Sequence, residues 1–453
     1  MTRTASSSGA QGGSILRGAL ASLGVRLLDL PSRYGFHLLI AASLGVVESG
    51  RFYIVFSTVV ALSGFGRLGI DRALTRQLAV DTASGRESTV RPAIRGAQRL
   101  VLLASAGASL LLVAGATPFA RSVLHKPDRA LPLMLSALSI LPQNIGTTLA
   151  GALAGLHRIA YSQMIYSWLW PAIFCTLAVP LMLAGLFTVI NALVLIAASF
   201  ALTAVIGLVL LRRFTTPLPD GRGVAPENPH FLAHGLSFFT LELTQLLITS
   251  APSIALGIAA SAQQTGLFAL AWRIALVNTL LISGVTGMTS PKFAALHARG
   301  DLHGLNRSAA QAIGLVLCLA LPVTGCMLLF PGHLLAVFGP GYSQGANTLR
   351  ILAIGQLVAA CLTGMPELLG MTAHMAAMRK INAVSLAVLL VGLAVGVPMA
   401  GSVGAAIATA LAIALNAAAA AWAAHRLLGI VPLATVWCEL RAHLRPARTG
   451  DTP

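Results

Sequence analysis

Charge is what this sequence has least of. Only 9% of its 453 residues are charged, and 13 acidic side chains stand against 30 lysines and arginines. A soluble chain carries about 25% charged residues, and so few ionic groups cannot cover a water-facing surface of this size. A soluble enzyme is therefore excluded. The five cysteines, Cys175, Cys318, Cys326, Cys361 and Cys438, lie far apart with no C-x-x-C pair. That spacing speaks against a metal site or a disulfide framework and for small apolar packing residues. No G-x-x-x-x-G-K-[ST] occurs, so the chain has no P-loop with which to hydrolyse ATP. Alternating ten-residue apolar segments are missing too, which disfavours a membrane barrel.

What is present is hydrophobicity: 56% of residues, with a mean hydropathy of +0.83, in runs of about twenty, the length that crosses about 30 Å of hydrocarbon as a helix. The expected fold class is an all-α integral membrane protein with about 12 transmembrane helices. The first two spans are placed at 15–44 and 51–79 and the last two at 381–399 and 403–425. Residues 1–14 read as a disordered lead. The polar stretch 212–230, with four prolines, reads as a linker between an N-lobe at 15–211 and a C-lobe at 231–428. In the tail, 429–453, Val436, Trp437, Leu440 and Leu444 share a face beside Arg441, Arg445 and Arg448, as a short helix on a membrane surface does.

The formal charge of +17 first suggests nucleic acid. Placing the basic residues one by one removes that reading. With the N-terminus inside, 21 of the 30 fall in inside loops and helix ends, four on the opposite face (Arg51, Arg121, Lys126, Arg129), and five within spans. The asymmetry sets both termini in the cytoplasm, with anionic inner-leaflet lipids, not nucleic acid, as the partner of the loop arginines. The halves also show a weak internal repeat: Gly50-Arg-Phe-Tyr corresponds to Gly266-Leu-Phe-Ala, and Thr75-Arg-Gln-Leu-Ala to Pro291-Lys-Phe-Ala-Ala. Six spans per half make these parallel repeats, as in transporters.

The stretches LLIAASLGVVESGRFYIVFSTVVALSGFGRLGIDRALTRQLA (38–79) and TGLFALAWRIALVNTLLISGVTGMTSPKFAALHARGD (265–301), with FGPGYSQGANTLRILAIGQLVAACLTG (338–364) and GSVGAAIATALAIAL (401–415), resemble bacterial polysaccharide flippases of the O-antigen type. These belong to the multidrug/oligosaccharidyl-lipid/polysaccharide exporter superfamily, and the resemblance covers roughly 20–428. It implies two pseudo-symmetric six-helix lobes around a central cavity that opens to each side in turn, in a multi-pass protein of the bacterial inner membrane. The implied cargo is a lipid-linked oligosaccharide, typically on polyprenyl pyrophosphate, and glycan polymerase and export machinery are implied partners. No cofactor is expected, although a coupling cation is compatible with the absence of an ATPase motif.

Ionisable groups inside a membrane cost about 2.5–3.5 kcal/mol each on insertion scales, so each needs a reason. Arg26, Asp29 and Arg33 fall on one face of the first span. They are either a self-neutralising cluster or, since two cations share one carboxylate, a site that leaves one guanidinium for a phosphate. Arg273 has no acidic residue within four positions on its own helix, which favours a wet cavity. Arg350, near the start of the tenth span, binds an anionic headgroup or snorkels to the interface. Arg67 is expected to snorkel. Glu242, placed near mid-depth, is the candidate for ion coupling or for pairing with Arg273. Asn144, Asn191, Asn278 and Gln356 read chiefly as helix–helix hydrogen bonds.

Gly64-Phe-Gly-Arg-Leu-Gly69 spells a nucleotide-binding fingerprint, but inside a transmembrane helix it lacks the strand and βαβ unit that give the motif meaning. Gly151/Gly155 and Gly392/Gly396 are expected packing faces. His230 and His234 lack the glutamate of H-E-x-x-H. A cation-coupled multidrug exporter and a lipid II flippase remain alternatives, and a membrane glycan polymerase or ligase is disfavoured by the short outer loops.

Overall fold

A computed structural model describes residues 8–219, 231–371 and 375–429, all helices, turns and connecting loops with no strand among them. The N-terminal lead up to residue 7, most of the expected linker and the amphipathic tail lie outside the described residues. The chain divides into two compact units at Ile258/Ala259.

In the first unit α1 (Ser8–Arg67) runs 60 residues, about 90 Å if straight at 1.5 Å per residue, three times the hydrocarbon thickness. It does not stay straight: Gly45, with φ 68° and ψ 179°, breaks it into two arms. Only glycine takes that conformation without strain. The arms fold back on each other, joined eight residues either side of the break by His37 Nδ1 and the Tyr53 hydroxyl at 2.9 Å. Phe36, Phe52 and Phe174, all fully buried, pack there, with Phe36 edge-on to Phe174 at 4.7 Å between ring centroids.

After Arg67, Leu68 and Gly69 both take positive φ and turn the chain into α2 (Ile70–Ala83), which leads to α3 (Glu87–Pro118). Asp81, 1% exposed, ties α2 to α3 by accepting from Thr89 Oγ1 (2.9 Å) and Arg86 (3.0 Å). Next come α4 (Ala130–Ser136), α5 (Ile140–Gly155), α6 (Ile159–Gln163), α7 (Leu169–Leu183), α8 (Val189–Thr215) and α9 (Phe231–Ala259). Arg91 at the start of α3 donates to the carbonyls of Thr215 and Thr216 at the end of α8, each at 2.9 Å. Arg158 stacks on Phe214. Loop arginines from three places in the sequence thus gather at one end of this unit.

The second unit contains α10 (Ala262–Ala298), α11 (Leu302–Leu329), α12 (Pro331–Ala336), α13 (Ala346–Cys361), α14 (Met365–Met371) and α15 (Met375–Leu428). Gly401 (φ 53°, ψ −126°) breaks α15 as Gly45 breaks α1. Its arms are zipped by small residues: a Cβ on Gly392 would lie 2.9 Å from that of Ala408, and Gly396 meets Gly404 backbone to backbone. Asn416 Nδ2 donates to Asn382 Oδ1 at 2.9 Å across the same seam. The amide of Ser402, left without an intrahelical acceptor by the break, donates to Gln264 Oε1 at 2.9 Å. Phe293, Leu305, Ile313 and Leu368 form a core at one end of this unit.

Outward-facing leucines such as Leu103 (71% exposed), Leu110 (70%) and Leu183 (85%) would be untenable in water in such numbers and suit lipid contact. Eight described helices are long and apolar enough to cross a membrane, against twelve spans read from the sequence. The counts differ because the two arms of α1 and of α15 count as one helix each, while α4–α5 and α13–α14 are interrupted by short turns. The protein is a multi-pass, all-helical membrane protein.

Candidate functional site

A cavity of about 330 Å³ opens within the first unit, bounded by both arms of α1 and by α5, α7, α8 and α9. Arg33 enters from the first arm and Arg67 from the second, with Gln143 and Thr147 from α5 and Tyr166 and Trp170 from the start of the fifth span. Residues 164–168 form a π-helical turn, a local widening that recurs at functional sites; Tyr166 lies on it, and Trp170, just beyond, is held against Phe36 and Phe200.

The cations are not equivalent. Arg33 donates through Nε and Nη2 to a single oxygen of Asp29, at 3.2 and 3.1 Å, and its side chain stays 42% exposed. Arg67 is buried, with 9% of its side chain exposed, and donates through Nη2 to Oε1 of Glu242, itself 13% exposed, at 2.5 Å. The expectation that Arg67 snorkels is thus corrected. The helix breaks immediately after it, and α9 closes over the end of α1: a Cβ on Gly64 would sit 2.6 Å from Leu246, and one on Gly235 would sit 2.9 Å from the Leu68 carbonyl. The guanidinium is buried under this contact and pairs with the Glu242 carboxylate. The pair sits sixteen residues along α1 from Arg51, about 24 Å at helical rise, toward the arginine-rich end of this unit.

Charges around the cavity therefore balance, two guanidiniums against Asp29 and Glu242. Hydrogen bonding does not: Arg67 Nε, Glu242 Oε2 and Gln143 Oε1 are buried without a partner among the described residues. A donor and two acceptors are thus held ready beside the cavity.

The other predicted residues fall elsewhere. Arg26 lies on α1, but its side chain is outside the described residues. Arg273 is half-buried on α10. Arg350 is exposed, and it donates to the Leu328 carbonyl (3.1 Å) and Asn347 Oδ1 (3.2 Å), at the C-terminal end of α11. Asn144 joins Ser63 O and Ser105 Oγ, Asn278 joins Thr324, and Gln356 accepts from Thr279. Asn191 sits at the start of α8, where its Nδ2 bonds the Leu186 carbonyl. The glycine fingerprint serves packing: besides Gly64, Gly66 lies against Asn144 and Ser105, and Gly69 turns the chain. Arg67, Gln143, Tyr166 and Trp170 were not singled out as site residues by the sequence. For Arg67 the available signal was a single arginine in a glycine-punctuated helix end.

The sequence profile of polysaccharide biosynthesis proteins matches residues 15–297. No curated protein matches. Among solved structures, a lipid II flippase, MurJ, in an inward closed conformation superposes with a TM-score of 0.71 at 12% identity, covering 96% of this chain and 94% of that one. An inward-facing multidrug resistance transporter of the MATE family gives 0.66 at 14% identity, over 95% and 99%. A transporter of the same MOP superfamily from Pyrococcus furiosus, described as having a binding pocket of reversed polarity, gives 0.63 at 16% identity, over 92% and 96%.

Proposed function

Since the chain belongs to the polysaccharide biosynthesis protein family and has the fold of MOP-superfamily transporters, we propose that it moves a lipid-linked oligosaccharide across the bacterial inner membrane for surface polysaccharide assembly. Polyprenyl pyrophosphate is the proposed carrier and alternating access the proposed mode. The observation that carries this reading is the first unit's cavity, where two arginines and two aromatic side chains share one space. A guanidinium fork matches phosphate oxygens, and Tyr166 and Trp170 offer apolar faces to a sugar ring. No chemical step is assigned to the protein.

In this proposal Arg33 and Arg67 take the pyrophosphate, Arg26 is a further cation of the first unit, and Arg273 is proposed to contact an anionic group of the cargo from the second unit. Arg350, exposed and with its Nε and Nη1 on neighbouring groups, is proposed as a further anionic-headgroup contact on the second unit. Glu242 competes with the cargo for Arg67. A coupling cation held by Glu242 removes the competitor, releases the guanidinium and so couples cargo binding to an ion gradient. The test is a deletion strain complemented with Arg33→Ala or Arg67→Ala together with Glu242→Leu. Lipid-linked glycan accumulating on the cytoplasmic face, at normal membrane levels of the variants, supports the proposal. Normal glycan export from both variants, or loss of drug resistance as the deletion's one phenotype, contradicts it; the latter points to a multidrug exporter.

A further inference from the structure

The end of the first unit away from the arginine-rich loops holds a second pocket, of about 300 Å³. It lies where the bend of α1, the turn Pro127–Arg129 and the first residues of α8 converge. Arg129, on that turn, is 4% exposed. It forms no ion pair among the described residues, and its Nε and Nη1 are buried without a hydrogen-bond partner. The acids in reach are otherwise disposed: Glu48 is bound to Arg51 at 2.8 Å, and Asp128 is exposed. Burial accordingly lowers the pKa of Arg129 from its usual value, with Asp128 opposing the shift. Such a buried cation is costly unless something supplies the missing acceptors.

The pocket's other polar wall is the start of α8, a 27-residue helix capped by Thr188, whose side chain accepts from the Asn191 amide at 3.2 Å. Val189 and Ile190 line the pocket, and amides in a first helical turn carry partial positive charge and have no intrahelical acceptor. A guanidinium and a helix start facing one space make an anion site. Two features narrow the anion. Glu48 and Asp128 at the pocket stand against Arg51, Arg129 and the neighbouring Lys126, so a dianion is disfavoured and one negative charge suits the excess of one cation. The volume and the apolar side chains of Val55, Pro132 and Ile190 accommodate organic substituents on both sides of the charge.

The geometry points to a phosphodiester-binding site at this end of the first unit, held by Arg129 and the first turn of α8. It is separate from the cavity above and does not depend on the cargo assigned there. A phosphodiester reaches this end of the protein either as the headgroup of a membrane phospholipid or as a soluble ester, and the two are separable.

The full chain is purified in uncharged detergent and its thermal unfolding followed against dioctanoyl phosphatidylglycerol, its soluble headgroup glycerophosphoglycerol, and dioctanoyl glycerol, which has no phosphate. Saturable stabilisation by the phospholipid but not the glycerol lipid is expected. A response to the soluble ester as well identifies the phosphodiester alone as sufficient, and its absence identifies the lipid as the source. Arg129→Gln is expected to raise the half-saturating concentration at least about tenfold, the scale of one charge-assisted contact. Arg121→Gln, an exposed arginine at the same end, is expected to leave it unchanged. Ile190→Trp, which plugs the pocket from its rim and leaves Arg129 in place, gives the same loss and decides the matter if Arg129→Gln does not fold. No saturable response in the wild type, or the same response in Arg129→Gln or Ile190→Trp, overturns the proposal.

Discussion

Replacing Arg67 by Met strands the Glu242 carboxylate, and the cost can be worked from its surroundings. Both partners are nearly sequestered, at 9% and 13% side-chain exposure, so the pair behaves as a buried one. Removing one member of such a pair costs about 3–5 kcal/mol, because the other charge is left without compensation. Glu242→Leu does the same to Arg67. The double variant Arg67→Met/Glu242→Leu leaves no charge behind and fills the space with apolar atoms, which is about neutral for stability. At roughly 2–4 °C per kcal/mol for a unit of this size, each single variant is expected to lose roughly 6–20 °C of unfolding midpoint in detergent. The double is expected within a few degrees of wild type, with an interaction energy of about 6–10 kcal/mol, the sum of the two single costs. Purified single and double variants followed by tryptophan fluorescence provide the assay. Two small single effects that simply add in the double refute the reasoning, because the pair would then be solvated in the native protein.

Further perturbations reach the rest of the account. Gly66→Val places a Cβ where it would lie 2.5 Å from Asn144 Nδ2 and 3.1 Å from the Ser105 backbone, and is expected to destabilise by about 1–3 kcal/mol, read as a lower unfolding midpoint. Asn144→Leu removes the bonds to Ser63 and Ser105 and is expected to cost about 0.6–1.7 kcal/mol, the range for interhelical hydrogen bonds in membranes, in the same measurement. Glu242→Gln, which removes the charge that competes for Arg67, is expected to bind inorganic pyrophosphate more tightly than wild type while glycan export falls, since Arg67 is then permanently released. Arg33→Ala is expected to reduce export at least about tenfold with membrane abundance unchanged, measured by surface glycan staining and immunoblot.

Much of the fold was legible because it follows from solvent. Apolar runs in a chain this poor in charge admit only helices, and the phenylalanines of the recurring Gly-x-Phe, Phe52 and Phe268, are both fully buried. The bends were partly readable. Glycine at Gly45 and Gly401 permits a reversal, yet glycines are frequent in these helices and most turn nothing. The site was less legible. Arg33 was recognisable from its spacing to Asp29, a relation within one helix. The Arg67–Glu242 pair joins residues 175 apart, and its formation depends on α9 lying over the glycines at the end of α1, which no local pattern encodes. Gln143, Tyr166 and Trp170 carry no signature of their own; a π-helical turn and the packing of neighbouring rings bring the aromatic pair to the cavity. Arg129 was sorted with the outer-face loop charges, since nothing in its neighbours forecasts that the turn at Pro127 buries it.

The central claim is that the arginine-lined cavity carries a lipid-linked oligosaccharide. It is tested most directly by reconstituting the purified protein in liposomes loaded with a polyprenyl pyrophosphate oligosaccharide and timing the glycan's appearance to a membrane-impermeant lectin or glycosidase. The account predicts fast exposure in the wild type and background exposure in Arg33→Ala combined with Arg67→Met/Glu242→Leu. Exposure at background in the wild type, or undiminished in that variant, would contradict it.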